Sequence, residues 1–384
     1  MRKSLLLVGA FLTVAAMAQA KEVVPEPVVV EETPVQVVEK EVIVYRDKEE
    51  GFRPSGYVDL QYRWYGDTEG QNEDYANNSY DKDTNSLADG NDNWNPDNNY
   101  SRIQFSGKIN MTERQRFEWR IRNYGELDSE TDRQSKKGTE TRLRYFYDHG
   151  NLGDSKVNLT SRLHYKDKEH DDGYQEVEYQ ARFDFAQYMP QNDFIKTSYF
   201  VLAPKYEYAW GIGNDDDYDN RVGADLASYF ELPWGFSFEF NLYADQHFYG
   251  KDHYFDGGRT KEDKNFTLDM EAYIYNYTRF YENGNFALGF YFEGGYDDYS
   301  YSQEKMFGEK KWNGKDKDSV SGTDDSDYSL YALPGIQADY QVTPNLNLYA
   351  VAGAEYRDWA VSNGSSASDW RWQPTVWAGF RTTF

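Results

Sequence analysis

Residues 55–66 read SGYVDLQYRWYG, and the fold turns on which side of this stretch faces water. At a period of two, Val58, Leu60, Tyr62 and Trp64 share one side, while Asp59, Gln61, Arg63 and Tyr65 share the other. A soluble sheet turns its apolar side inward against a second apolar layer. The class of the protein depends on whether the rest of the chain supplies one.

The same alternation recurs along the chain. Residues 100–111 set Ile103, Phe105 and Ile109 against Arg102, Gln104 and Lys108, and residues 115–125 set Phe117, Trp119 and Ile121 against Arg116, Glu118, Arg120 and Arg122. Leu143, Tyr145 and Tyr147 oppose Arg142 and Arg144 in 139–148, and Leu159, Leu163 and Tyr165 oppose Arg162, His164 and Lys166 in 156–166. Similar segments at 174–186, 194–210, 221–232, 236–248, 264–278, 286–297, 327–340, 346–357 and 370–384 bring the count to fourteen. Sixteen is the alternative count, if 194–210 is broken by Pro204 or if Glu41 to Arg46 adds a strand. Long polar stretches at 66–99, 126–138, 249–263 and 298–326 come after odd-numbered strands, and tight turns come after even-numbered ones.

No helix covers the apolar side, so that side meets lipid and the polar side meets water. The strand edges must then close on each other, because unpaired backbone groups cost several kcal/mol each in hydrocarbon. The expected fold is all-β: a transmembrane antiparallel up-and-down β-barrel of about 14 strands over 55–384.

Composition removes the competing classes. The chain carries a net charge of −25 yet is 18% aromatic, which separates it from acidic disordered chains. It has no cysteine with which to staple itself. Residues 1–20, MRKSLLLVGAFLTVAAMAQA, have the basic start, short apolar run and small-x-small end of a secretory signal, with cleavage expected after Ala20. Residues 21–54 are rich in Val, Glu and Pro and read as an extended spacer, with 35–48 also compatible with a short coiled coil.

Inside the barrel, charge separates by arc. Arg63, Arg102, Arg120, Arg122, Arg142, Arg144, Arg162 and Arg182 are the expected basic lining, and Asp225, Glu239, Asp269, Glu271 and Glu293 the expected acidic one. A positive wall facing a negative wall would order water across the pore, and lining charge sets selectivity. Because the arginines point into water, replacing Arg120, Arg144 and Arg162 together is expected to leave folding intact. At the C-terminus, Gly379, Phe380 and Phe384 stand where a barrel insertion signal has them, although Thr382 replaces an apolar residue.

The Val/Glu/Pro spacer ending in VIVYRD, the segment RPSGYVDLQYRWYGDTE and the strands running to a terminal Phe resemble the major outer-membrane porins of fusobacteria, the FomA type. The resemblance covers essentially the whole chain and is most specific over 42–66. It implies a homotrimeric general-diffusion porin of the cell outer membrane, passing ions and small hydrophilic solutes, with a periplasmic spacer and extracellular long loops. Its partners would be the lipid bilayer and the outer-membrane assembly machinery, with no nucleic acid and no cofactor.

Two other functions stay open: a surface adhesin or envelope-anchoring barrel, and a sugar-specific channel with a slide of Tyr57, Tyr243, Tyr273, Tyr291, Tyr331 and Tyr349. The histidines have no metal spacing, the acidic stretch 67–97 reads as a hydrated loop, and no catalytic residue is expected.

Overall fold

The computed structural model describes residues 51–66, 69, 80–81, 86–87, 101–124, 138–168, 174–212, 217–255, 260–302, 310–312, 320–323, 329–359 and 369–384. The chain divides into two compact units, Met1–Arg53 with Phe384 and Pro54–Thr383. Of the first unit, Gly51 to Arg53 are described and carry no regular structure. The signal, most of the spacer and the Glu41 to Arg46 strand lie outside the described residues.

The second unit is one closed barrel of fourteen antiparallel strands. In chain order these are β1 (Ser55–Tyr65), β2 (Arg102–Asn110), β3 (Gln115–Tyr124), β4 (Gly138–Asn151), β5 (Asn158–Lys168), β6 (Tyr174–Asp184) and β7 (Lys196–Ile212). They continue as β8 (Asp217–Glu231), β9 (Phe236–Phe255), β10 (Thr260–Asn283), β11 (Phe286–Ser302), β12 (Ser329–Thr343), β13 (Leu346–Trp359) and β14 (Asp369–Thr383). Each strand pairs with its sequence neighbours, and β14 closes the barrel by pairing with β1, Asp59 opposite Arg381 and Arg63 opposite Trp377. Two short hairpins, Tyr80–Asp81 with Ser86–Leu87 and Lys310–Trp312 with Val320–Thr323, sit in the longest connections.

The alternative count of sixteen is corrected: β7 runs unbroken through Pro204, which pairs with Ala224 on β8 and points outward. The 249–263 loop is corrected as well. β9 and β10 extend through most of it, leaving only 256–259 between them. These strands have 20 and 24 residues, against the roughly 9–11 needed to span a bilayer. Their outer portions therefore meet water on both faces, where alternation of polarity has no cause to persist although backbone pairing does.

The turns at the opposite end are set by local chemistry. Thr112 Oγ1 accepts the N–H groups of Arg114 and Gln115, and Thr343 Oγ1 those of Asn345 and Leu346, so a side chain takes over where the ladder stops. In Pro233-Trp234-Gly235, Trp234 and Gly235 both have positive φ, 59° and 74°, and the indole is left 84% exposed at the rim.

Outside, the barrel wears an apolar coat. Leu202, Leu226, Leu242 and Met270 lie in register across β7 to β10, and Leu163, Val222, Ile336, Leu348 and Val376 are exposed on neighbouring strands. Polar side chains take most of the inner positions instead, the reverse of a soluble barrel. This arrangement satisfies every constraint of a strand protein in lipid: closure, an apolar exterior and a wet interior. Leu202→Arg is accordingly expected to lower stability in lipid vesicles by about 2–4 kcal/mol if it lies near the bilayer midplane. Denaturant titration checks this, and an unchanged midpoint would mean that the coat does not meet hydrocarbon.

Candidate functional site

Cross-strand register puts all eight expected arginines on the inner face. Arg63 lies opposite Arg102; Gln104 opposite Arg122; Ser106, Arg120, Arg142 and Lys166 form one row across β2 to β5; Arg144 opposes His164; and Arg162 and Arg182 come next on β5 and β6. Asp225, Glu239, Asp269, Glu271 and Glu293 occupy inner positions on β8 to β11. The side chains on this surface divide into three arcs that differ in how charge is held.

The first arc, β2 to β5, has more cations than carboxylates. Glu140 takes Arg120 at 2.5 Å with Arg122 at 3.9 Å, Glu118 takes Arg116 at 3.0 Å, and Glu176 takes Lys166 at 3.2 Å. Arg142 and Arg144 make no ion pair among the described residues. At the closure seam, Arg63 donates to Thr375 at 3.3 Å and lies over the rings of Tyr65 and Trp377, with its guanidinium 4.7 and 4.5 Å from their centres.

The second arc, β6 to β9, is interlocked. Arg162 meets Glu178 at 2.5 Å, and both are nearly buried. Lys205 sits between Asp225 and Asp245, 2.8 Å from each, and Gln180 also donates to Asp225. Arg221 bridges Glu207 and Asp219, each at 2.5 Å, and His247 Nδ1 lies 2.7 Å from Asp219. Asp225 thus shares the single charge of Lys205 with Asp245, and the triplet is held within the wall with one negative charge in excess. Lys205 was missing from the residues expected to matter. Its lysine stands next to a proline, and only the β8 and β9 registers bring two aspartates to it.

The third arc, β9 to β13 with β1, holds its carboxylates on phenols. Tyr275 donates to Glu239 at 3.2 Å, Tyr243 to Glu271 at 2.9 Å, and Tyr291 and Tyr331 both to Glu293 at 2.8 and 2.9 Å. Tyr277 donates to Asp339, and Tyr349 to Asp59 at 2.8 Å, where Arg381 also binds at 3.0 Å. A hydroxyl satisfies an acceptor without cancelling its charge, so the phenol contacts leave the arc's negative potential in place, whereas Asp59 and Glu355 are paired with Arg381 and Arg357, the latter at 2.6 Å. Behind the phenols lie Leu333, Val351 and Trp377, buried inner-face residues packed with Tyr331 and flanked by Tyr273, Tyr291 and Tyr349. Nothing in a period-two reading marks these apolar inner residues, because they break its pattern.

Gly379 is inward, opposite Tyr349 on β13, and a Cβ built there would lie 2.7 Å from the Tyr349 hydroxyl and 2.4 Å from the Leu60 carbonyl oxygen. The glycine lets the ring lie flat on the strand. Phe380 points outward, and Phe384 is 41% exposed past the last strand. Of the histidines, His164 packs by Glu178, His149 Nε2 lies 2.8 Å from Ser161, and His253 lies 3.1 Å from Asp217; no group able to hold a metal exists among the described residues. His170, residues 213–216 and most of 67–97 and 298–326 lie outside the described residues.

The chain is a membrane-spanning β-barrel. Neither a family model nor a curated relative matches it. Among solved structures it is similar to a bacterial polysaccharide outer membrane secretin, at 10% identity over 86% of this chain and 97% of that one, with a TM-score of 0.35. It is also similar to an anion-selective porin from Comamonas acidovorans, at 9% identity over 86% and 99% with a TM-score of 0.32. A third similar structure is the β domain of the Bordetella autotransporter BrkA, at 12% identity over 86% and 100% with a TM-score of 0.29.

The ion pairs amend one sequence expectation. Arg144 points into the lumen without a carboxylate, whereas Arg120 and Arg162 anchor Glu140 and Glu178, so the three are not equivalent. Arg162→Ser is expected to cost about 3–5 kcal/mol by taking from the buried Glu178 its arginine and leaving it Gln180 and His164, a loss that adding Glu178→Gln largely restores. Arg144→Ser is expected to cost less than about 1 kcal/mol, within the range of ordinary surface changes. Urea titration of the folded barrel separates them; equal effects would show that the pairing does not support the wall.

Proposed function

We propose that the protein is a general-diffusion porin, a water-filled channel for ions and small hydrophilic solutes across the outer membrane of a Gram-negative bacterium. The observation that carries this reading is an inner face lined by charges of both signs in a barrel too wide for side chains to fill. Strand spacing and the usual tilt give fourteen strands a backbone diameter of about 28 Å, leaving roughly 15 Å between facing side chains. Eight strands are filled by their own side chains, and sixteen to eighteen leave an aqueous channel. Fourteen falls on the open side.

The arcs fit diffusion better than a sugar slide. Four of the six tyrosines that would form the slide, Tyr243, Tyr291, Tyr331 and Tyr349, commit their hydroxyls to carboxylates, Tyr331 is 7% exposed, and the ring of Tyr57 lies under Arg381. Open aromatic faces for sugar rings are correspondingly few.

In this reading the short turns and the spacer face the periplasm, and the long connections face the exterior. Assembly through the outer-membrane machinery, with Gly379, Phe380 and Phe384 as its signal, and a homotrimeric state complete the proposal. The purified protein is expected to run as a heat-sensitive, sheet-rich oligomer and to open ohmic channels in planar bilayers. Silent bilayers over several folded preparations would reject the channel and favour an adhesive or anchoring barrel.

A further inference from the structure

The row across β3, β4 and β5 is electrostatically odd. Arg142 lies directly opposite Arg120 on one side and Lys166 on the other, with Arg144 two residues along its own strand. Like charges placed directly opposite each other destabilise a sheet, so a row of three cations needs compensation.

Glu118 lies directly opposite Arg144 but is drawn to Arg116, and the other carboxylates within reach are likewise engaged. Glu140, Glu118, Glu176 and Glu178 are held by Arg120, Arg116, Lys166 and Arg162 at 2.5 to 3.2 Å. Arg122 shares Glu140 with Arg120, at 3.9 Å, and Arg142 and Arg144 make no ion pair among the described residues. The Nε atoms of Arg120 and Arg144 are moreover buried without an acceptor among the described residues. A buried donor left unmade carries a free-energy cost that an acceptor from the lumen would relieve.

The missing partner must bring negative charge and several acceptor oxygens together. Guanidinium forks bind planar or tetrahedral oxyanions through paired hydrogen bonds. Two forks spaced one position apart on the same strand face suit a dianion with oxygens on more than one side, which a phosphoryl group has and a single carboxylate lacks. Both arginines are half-buried, rooted in the wall with their ends toward the lumen.

We propose that Arg142 and Arg144 anchor an oxyanion-binding site in the lumen, with Arg120 beside them, that takes a phosphate dianion, free or as a phosphomonoester. Such a site would hold phosphorylated solutes briefly on the arginine arc and favour their transit over that of neutral solutes of equal size. The proposal rests on the lumen being open to solutes.

The test titrates inorganic phosphate into potassium chloride on both sides of a bilayer holding open channels, with glycerol 3-phosphate in a parallel arm. Wild-type current is expected to fall saturably with phosphate, and the half-effect concentration to rise about tenfold or more in Arg142→Gln/Arg144→Gln, as loss of charged hydrogen bonds implies. Tighter action of glycerol 3-phosphate would assign the site to phosphomonoesters, and equal or weaker action to the free anion. Arg142→Lys, which keeps the charge and loses the fork, should fall between, and serves also if the double variant does not fold. Arg279→Gln, at the exposed short-turn end, should behave as wild type. Open channels indifferent to phosphate, or equally affected in wild type and the Arg142 variants, would overturn the site. If no channel opens, the diffusion reading fails on its own, and calorimetric titration of phosphate into the folded barrel decides instead: no heat, or the same heat with and without Arg142, overturns the proposal.

Discussion

Every backbone N–H and C=O in the membrane part of this protein must find a partner within the sheet, because hydrocarbon offers none. That demand forces β14 back onto β1, and the seam is paired from Tyr57 with Thr383 up to Tyr65 with Thr375. Closure in turn fixes parity. Once Asp59 faces in, Arg381 opposite it faces in, and the side of every other residue is set in turn around the ring. The polarity of both surfaces is therefore one decision, made once and propagated by register.

Placing so much charge inside a barrel creates a second constraint, which the three arcs meet differently. On β6 to β9 the charges lock in pairs and triplets such as Asp225–Lys205–Asp245. On β9 to β13 phenols hold Glu239, Glu271, Glu293 and Asp339 in place without themselves neutralising them, as Tyr291 and Tyr331 do for Glu293. On β2 to β5 arginines outnumber the acids. The result is an uneven lumen, net positive on one arc and net negative on another, with a tightly interlocked wall between. A transverse field needs this segregation, since charges paired wherever they stood would cancel locally.

The side each strand turns to water was legible in the sequence because it requires only a period of two and one apolar run per strand. Arg120, Arg142 and Glu293 could be placed that way without knowing any partner. Pairing could not, because it depends on the stagger between neighbours, which no single strand encodes. Lys205 is the clearest case: its aspartates lie 20 and 40 positions further along the chain. Residues 249–263 misled for another reason. Above the bilayer both faces of a strand are wet, so His253 can pair with Asp217 and stack on Tyr249 in a stretch whose composition reads as loop. The buried trio Leu333, Val351 and Trp377 escaped because apolar inner residues imitate outer ones.

That trio bears on how the lumen is shaped. An apolar cluster on an inner wall can stay dry only if something covers it, and the cover here is a layer of tyrosines whose rings shield Leu333 while their hydroxyls reach the carboxylates. Each phenol thus does two jobs that oppose each other in an ordinary side chain, excluding water behind and binding charge in front. The carboxylates rise from the same strands as the rings, and the phenol hydroxyls hold their ends. On the arginine side no such layer exists, and the long guanidinium side chains themselves span the distance. The two walls thus present charge by different means, one with carboxylates braced by rings and one with long guanidinium chains.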